Sequence, residues 1–113
     1  MDVYLNIICA CESIPTIKQR VSSLCENVNA AVYTEELISE YWKCESCSVF
    51  IVRFRCHSSN FIFFEGELFN ISGGHHVEVK RNELHAEMFC FTTIPELLSI
   101  PCSAFVSCYI TFN

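Results

Sequence analysis

The first candidate for metal or thiol chemistry is the pair of cysteines in Cys44-Glu45-Ser46-Cys47. Two thiols separated by two residues can chelate zinc or run thiol–disulfide exchange. A redox pair of this kind opens a helix, whose N-terminus lowers the thiol pKa. Here the pair follows a predicted helix and enters a predicted strand, so that help is missing. A structural zinc needs four ligands. The next donors, Cys56 and His57, sit at the far end of that strand, about 30 Å away at 3.3 Å per residue. In Gly73-Gly74-His75-His76 the adjacent imidazoles point to opposite sides of an extended chain and make a poor chelate. They read as a polar turn with surface histidines.

A second constellation is His85-Ala86-Glu87, followed downstream by Pro101-Cys102 and Cys108. It resembles the His-x-Glu and Pro-Cys-x-x-Cys signature of zinc nucleoside deaminases. That resemblance implies zinc held by His85, Cys102 and Cys108, with Glu87 shuttling protons. The family spaces its cysteines by two residues, whereas five residues separate Cys102 from Cys108. The family motif also opens a helix, whereas Leu84 to Phe91 reads as a strand. The sequence therefore points to no catalytic residue, no metal and no cofactor, with a deaminase-like protein as the enzymatic alternative.

The chain has 113 residues, a formal charge of −6, 51 % hydrophobic residues and ten phenylalanines. That is one domain with one modest core. The negative charge disfavours binding to nucleic acid phosphates. Nine cysteines form an odd set. With no basic n-region at the start, they read as small hydrophobes in a reducing cytoplasm. No apolar run reaches the length of a membrane span.

Val3 to Cys11 is apolar on both alternating sides, as in an interior strand. Ser13 and Pro15 open an amphipathic helix through Ile14, Ile17, Val21, Leu24, Cys25 and Val28, ending at Asn27 or Asn29. Thr34 is read as the cap of a second helix carrying Glu35, Glu36, Glu40, Tyr41 and Trp42 and ending near Lys43. Ser48 to Ile71 reads as a β-hairpin turning at Ser58-Ser59-Asn60, with Asn60 left-handed. In that register Arg53 faces Glu65, Ile51 faces Glu67, and Phe50, Phe54, Phe64 and Leu68 share an apolar face. A short strand around Val77 and Val79, a strand over Leu84 to Phe91, a helix capped at Thr93 and a final strand from Ala104 to Phe112 complete the chain. The predicted order is β-α-α-β-β-(β)-β-short α-β. It implies an α+β domain, with a mainly antiparallel sheet of about five strands and two helices packed on one face.

Glu26, Glu35, Glu36, Glu40 and Glu45 gather in one stretch against Lys43 alone. Such a patch speeds and selects the docking of a basic partner, and Tyr33, Tyr41 and Trp42 supply interface anchors. In size, acidity and α+β layout the chain resembles the small bacterial immunity proteins of contact-dependent growth inhibition systems. The resemblance implies a non-enzymatic module that binds and neutralises one cognate, basic toxin, typically a nuclease. The expected contact comprises Glu35, Glu36, Glu40, Glu45 and Tyr41, with Glu65 and Glu67. The other non-enzymatic reading is a structural domain that pairs with a second copy.

Overall fold

A computed structural model describes residues 1–39, 46–73, 76–81 and 104–112. Its elements run β1 (Asp2–Ala10), α1 (Ile14–Asn27), β2 (Ala31–Ile38), β3 (Cys47–Arg55), α2 (Phe61–Ile71), β4 (His76–Arg81) and β5 (Ala104–Thr111). A 3₁₀ turn precedes each helix, at Cys11–Ser13 and Ser58–Asn60. The sheet order is β2-β3-β1-β5-β4. The first four run antiparallel to their neighbours, and β4 joins the far edge parallel to β5. The fold is therefore α+β, with an antiparallel sheet and two helices.

The connectivity is a doubled split β-α-β unit. Helix α1 links β1 to β2 with β3 between them, and the chain carrying α2 links β3 to β5 with β1 between them. This is the ferredoxin-like arrangement, with β4 added after the second helix.

β1 sits at the centre, paired with Phe54, Val52 and Phe50 on one side and Ile110, Cys108 and Val106 on the other, through Val3, Leu5 and Ile7. These side chains share the face that meets the helices. There the Phe54 and Phe64 rings meet edge to face at 5.8 Å, and Lys18 Nζ lies 5.6 Å from the Phe50 ring centre. α1 contributes Ile14, Ile17, Val21, Leu24 and Cys25, as its spacing predicts. Pro15 sits in its first turn. Asn29, at φ 55°, turns the chain out of it; asparagine is one of the few residues that takes this conformation readily.

Two expectations are overturned. The first is the helix from Thr34 to Lys43. Its described part, up to Ile38, is a strand paired with β3, and residues 40–45 lie outside the described residues. Val32, Tyr33, Thr34 and Ile38 are β-branched or aromatic and suit a pleated strand. The two acids that resembled a first helical turn are its middle.

The second is the hairpin over Ser48–Ile71. Its first arm is β3, but its second arm is α2. His57 caps the intervening turn, its Nδ1 accepting from the Ser59 amide at 3.1 Å. Asn60 is right-handed, at φ −82°. Phe64, Leu68 and Ile71 are buried and Phe61 packs beside them, a spacing of three and four residues that only a helix places on one face. Arg53 therefore does not face Glu65, nor Ile51 Glu67: both acids ride on α2. The β-hairpin of this region is β2–β3. The predicted strand at Leu84 to Phe91 and helix at Thr93 lie outside the described residues.

Gly66 occupies the middle of α2, exposed, and a Cβ built there meets nothing within 4 Å. Gly66→Ala should therefore stabilise the protein by about 0.5–1 kcal/mol through helix propensity alone. Chemical denaturation measures this, and a loss of stability would contradict the helical placement.

Candidate functional site

The predicted acidic residues fall in two places. Glu35 and Glu36 lie on β2, opposite Val52 and Ile51 of β3. Successive strand residues point to opposite faces. Glu35 accordingly lies on the helix side, where its charge acts on Cys25. Glu36 lies on the other face, near Tyr4 and Arg53. Glu65 and Glu67 ride on α2, which packs beside β4 and β5, while β2 is the opposite edge. Asn70 Nδ2 donates to Glu67 at 3.4 Å. Glu40, Tyr41 and Glu45 lie outside the described residues. The expectation of one helix-borne patch gives way to an acidic edge strand and a separate helical pair.

That edge strand is unusual in its exposure. All eight residues of β2 are exposed, including Val32 at 49 %, Tyr33 at 47 %, Leu37 at 43 % and Ile38 at 41 %. β2 bonds to β3 on one side and to no described strand on the other. The register shifts between Val32 and Thr34, so Tyr33 stands in a bulge. Arg55 fixes this end of the hairpin. Its Nε and Nη2 bond both oxygens of Asp2 at 2.9 and 3.2 Å, and its guanidinium lies 5.7 Å from the Tyr33 ring centre. The bond from Asp2, then its charge and that of Tyr33, push the Arg55 pKa up. The Tyr4 phenol is also pushed up, first by burial, then by the Glu36 carboxylate, against a lowering by Arg53.

The face of the sheet away from the helices is thus charged and open near β2. Ile8, Val49, Phe105 and Ser107 on it are buried. Among them sits Asn6, 1 % exposed, between Ile51 and Ser107 in the ladder. Among the described residues, neither polar atom of its side chain meets a hydrogen-bond partner. Its signal in the sequence was a lone amide in the middle of a strand apolar on both sides.

Five of the described cysteines, Cys9, Cys25, Cys47, Cys56 and Cys108, are buried and act as small hydrophobes. Burial pushes the Cys9 thiol up to about 12 and Cys25 to about 11. It also raises Cys56, against a lowering by the N-terminal amine, and Cys108. Of the first zinc candidate, Cys47 is buried in β3 at the opposite end of the strand from Cys56, and Cys44 is not described. Of the deaminase-like set, only Cys108 is described, buried in β5; His85, Glu87 and Cys102 lie outside the described residues. Among the described residues no three acidic, histidine or cysteine side chains converge on a metal position. Among the described cysteines Cys11 is the exposed one, with Ser48 Oγ 3.0 Å from its sulfur. A groove of 410 Å³ between the helices is lined by Thr16, Gln19, Arg20, Ser23, Glu67 and Asn70. Arg20 there donates to the Ile71 carbonyl at 3.3 Å. The lining holds no thiol, no imidazole and no pair of carboxylates. Among the described residues no helix is long and apolar enough to cross a membrane.

No protein-family model matches the sequence, and no curated protein matches it closely enough to count as a relative.

Asn6→Leu, close to isosteric, should raise stability by about 1–3 kcal/mol by removing a buried amide that has no partner among the described residues; thermal unfolding tests it. Because folding raises the thiol pKa, the folded chain holds protons that the unfolded chain releases. The stability contributed by protonated Cys25 and Cys9 is complete below their ordinary value of 9.0. It is lost as pH rises from there towards about 11 and 12. Site-resolved alkylation at neutral pH should modify Cys11 well before the other described cysteines, and fast labelling of Cys9 or Cys108 would refute the burial.

Proposed function

We propose that this protein is a non-enzymatic binding module whose partner surface centres on the β2 edge. On this reading it is an immunity protein, acting in the cytoplasm, that neutralises a basic toxin, with a nuclease as the natural target. One observation carries the reading. Glu35 and Glu36 stand exposed in the middle of an edge strand whose other exposed side chains include Val32, Tyr33, Leu37 and Ile38. Apolar anchors flanking charge are what a specific interface needs: the apolar groups supply affinity, the carboxylates supply partner choice and association rate. The overall charge of −6 works in the same direction for a basic partner. Glu65 and Glu67, on another element, belong to a secondary contact that widens the negative field.

Affinity capture from the native host tests this. The wild-type chain should retain a basic protein, and the Glu35→Lys/Glu36→Lys variant should lose it. With the captured partner, each reversed acid should weaken binding at least two- to fivefold, roughly the worth of one cross-strand charge pair. Most of the change should lie in the association rate at low salt. An equally retained partner, or an acidic one, would remove the basis of the proposal.

A further inference from the structure

We infer that the partner binds β2 by strand addition: an extended segment of it pairs antiparallel with Thr34–Ile38 and continues the sheet. This rests on the reading of β2 as the binding surface and specifies how that surface is used.

An edge strand offers a row of outward N–H and C=O groups, and a peptide that adds a strand satisfies them while its side chains choose the register. Below the bulge at Tyr33, the ladder from Thr34 to Ile38 is regular against β3, so its outer edge is regular too. Both faces of this stretch are exposed. An added strand therefore finds a side chain to contact on each side of the sheet: Glu35 and Leu37 on the helix side, Glu36 and Ile38 on the other.

The charges define the occupant. Proteins commonly guard edge strands with charges and bulges against pairing between copies, and β2 has both. In a two-fold antiparallel pair one residue lies opposite its own copy. A register centred on Glu35 or Glu36 would set like carboxylates face to face, which destabilises a ladder. A register centred on Thr34 would run the Tyr33 bulge into the ladder. Those registers are closed to a second copy, and the same two acids favour a strand with bases opposite them. Read against Ile38-Leu37-Glu36-Glu35, the antiparallel partner runs apolar-apolar-basic-basic.

The probe is a synthetic peptide built around Ile-Val-Lys-Arg, with a control in which Glu-Glu replaces Lys-Arg. Strand addition requires that the basic peptide slow amide exchange at alternate residues of Thr34–Ile38, by at least about tenfold at saturation. The control should have no effect, and the Glu35→Lys/Glu36→Lys variant should reverse the preference. A Thr34→Pro or a Leu37→Pro variant, which leaves both acids in place, adds a check. One of these two amides points outward, and its loss should abolish binding while β2 stays paired with β3. Binding that depends on the two acids but leaves the exchange of β2 unchanged overturns strand addition and keeps the acidic surface. Absence of binding by the basic peptide at millimolar concentration overturns strand addition, and an equally retained partner in the capture experiment overturns the surface itself.

Discussion

Everything in this fold is placed by β1. It is the middle strand of the five, bonded antiparallel on both edges, to β3 and to β5. Its side chains are buried on the helix face at Val3, Leu5, Ile7 and Cys9, and on the other face at Asn6 and Ile8. A strand with hydrogen bonds on both edges and apolar groups on both faces cannot lie anywhere but the middle of a sheet. Two crossovers then complete the layout. α1 spans β3 and α2 spans β1, so both helices land on one face and touch each other. The phenylalanines between them and the sheet, Phe50, Phe54 and Phe64, are each worth roughly 1.5–3 kcal/mol of burial.

The same arrangement explains why the proposed binding surface is an edge. Placing β1 in the middle pushes β2 to the rim, where it gains one ladder and no cover. β2 does not behave like a failed core strand. Its apolar residues are spread over both faces, its centre is charged, and its bulge is pinned by the Arg55–Asp2 pair and Tyr33. These are features of a surface held in shape, and they separate the cost of exposing apolar side chains from the hazard of open self-association.

How far the sequence could be read depends on periodicity. Ile14 through Val28 repeats at three and four residues with end signals at Pro15 and Asn29, and it folds as read. Val3 to Cys9 and Ala104 to Ile110 are apolar on both sides, and both became interior strands. Phe61–Ile71 was misread for a definable reason. Phe64 and Leu68 are four apart, and residues four apart share a face in a strand and in a helix alike. The buried set was therefore right while the element was wrong. Phe61 and Ile71, at odd offsets from that pair, held the information that decided it. β2 failed differently: acids after a threonine imitate a helix cap, and no burial pattern existed to correct the impression.

The sequence by itself determined what goes inside, because burial follows side-chain chemistry: Phe50, Phe54, Phe64 and Leu68 are core residues under either secondary structure. It also determined a net negative chain and one long amphipathic helix. Tertiary structure alone decided which strand neighbours which, that Glu35 and Glu36 sit on an open edge pointing to opposite faces, and that Glu65 and Glu67 are elsewhere. Those facts depend on pairings between residues far apart in the chain, and local pattern contains no term for them.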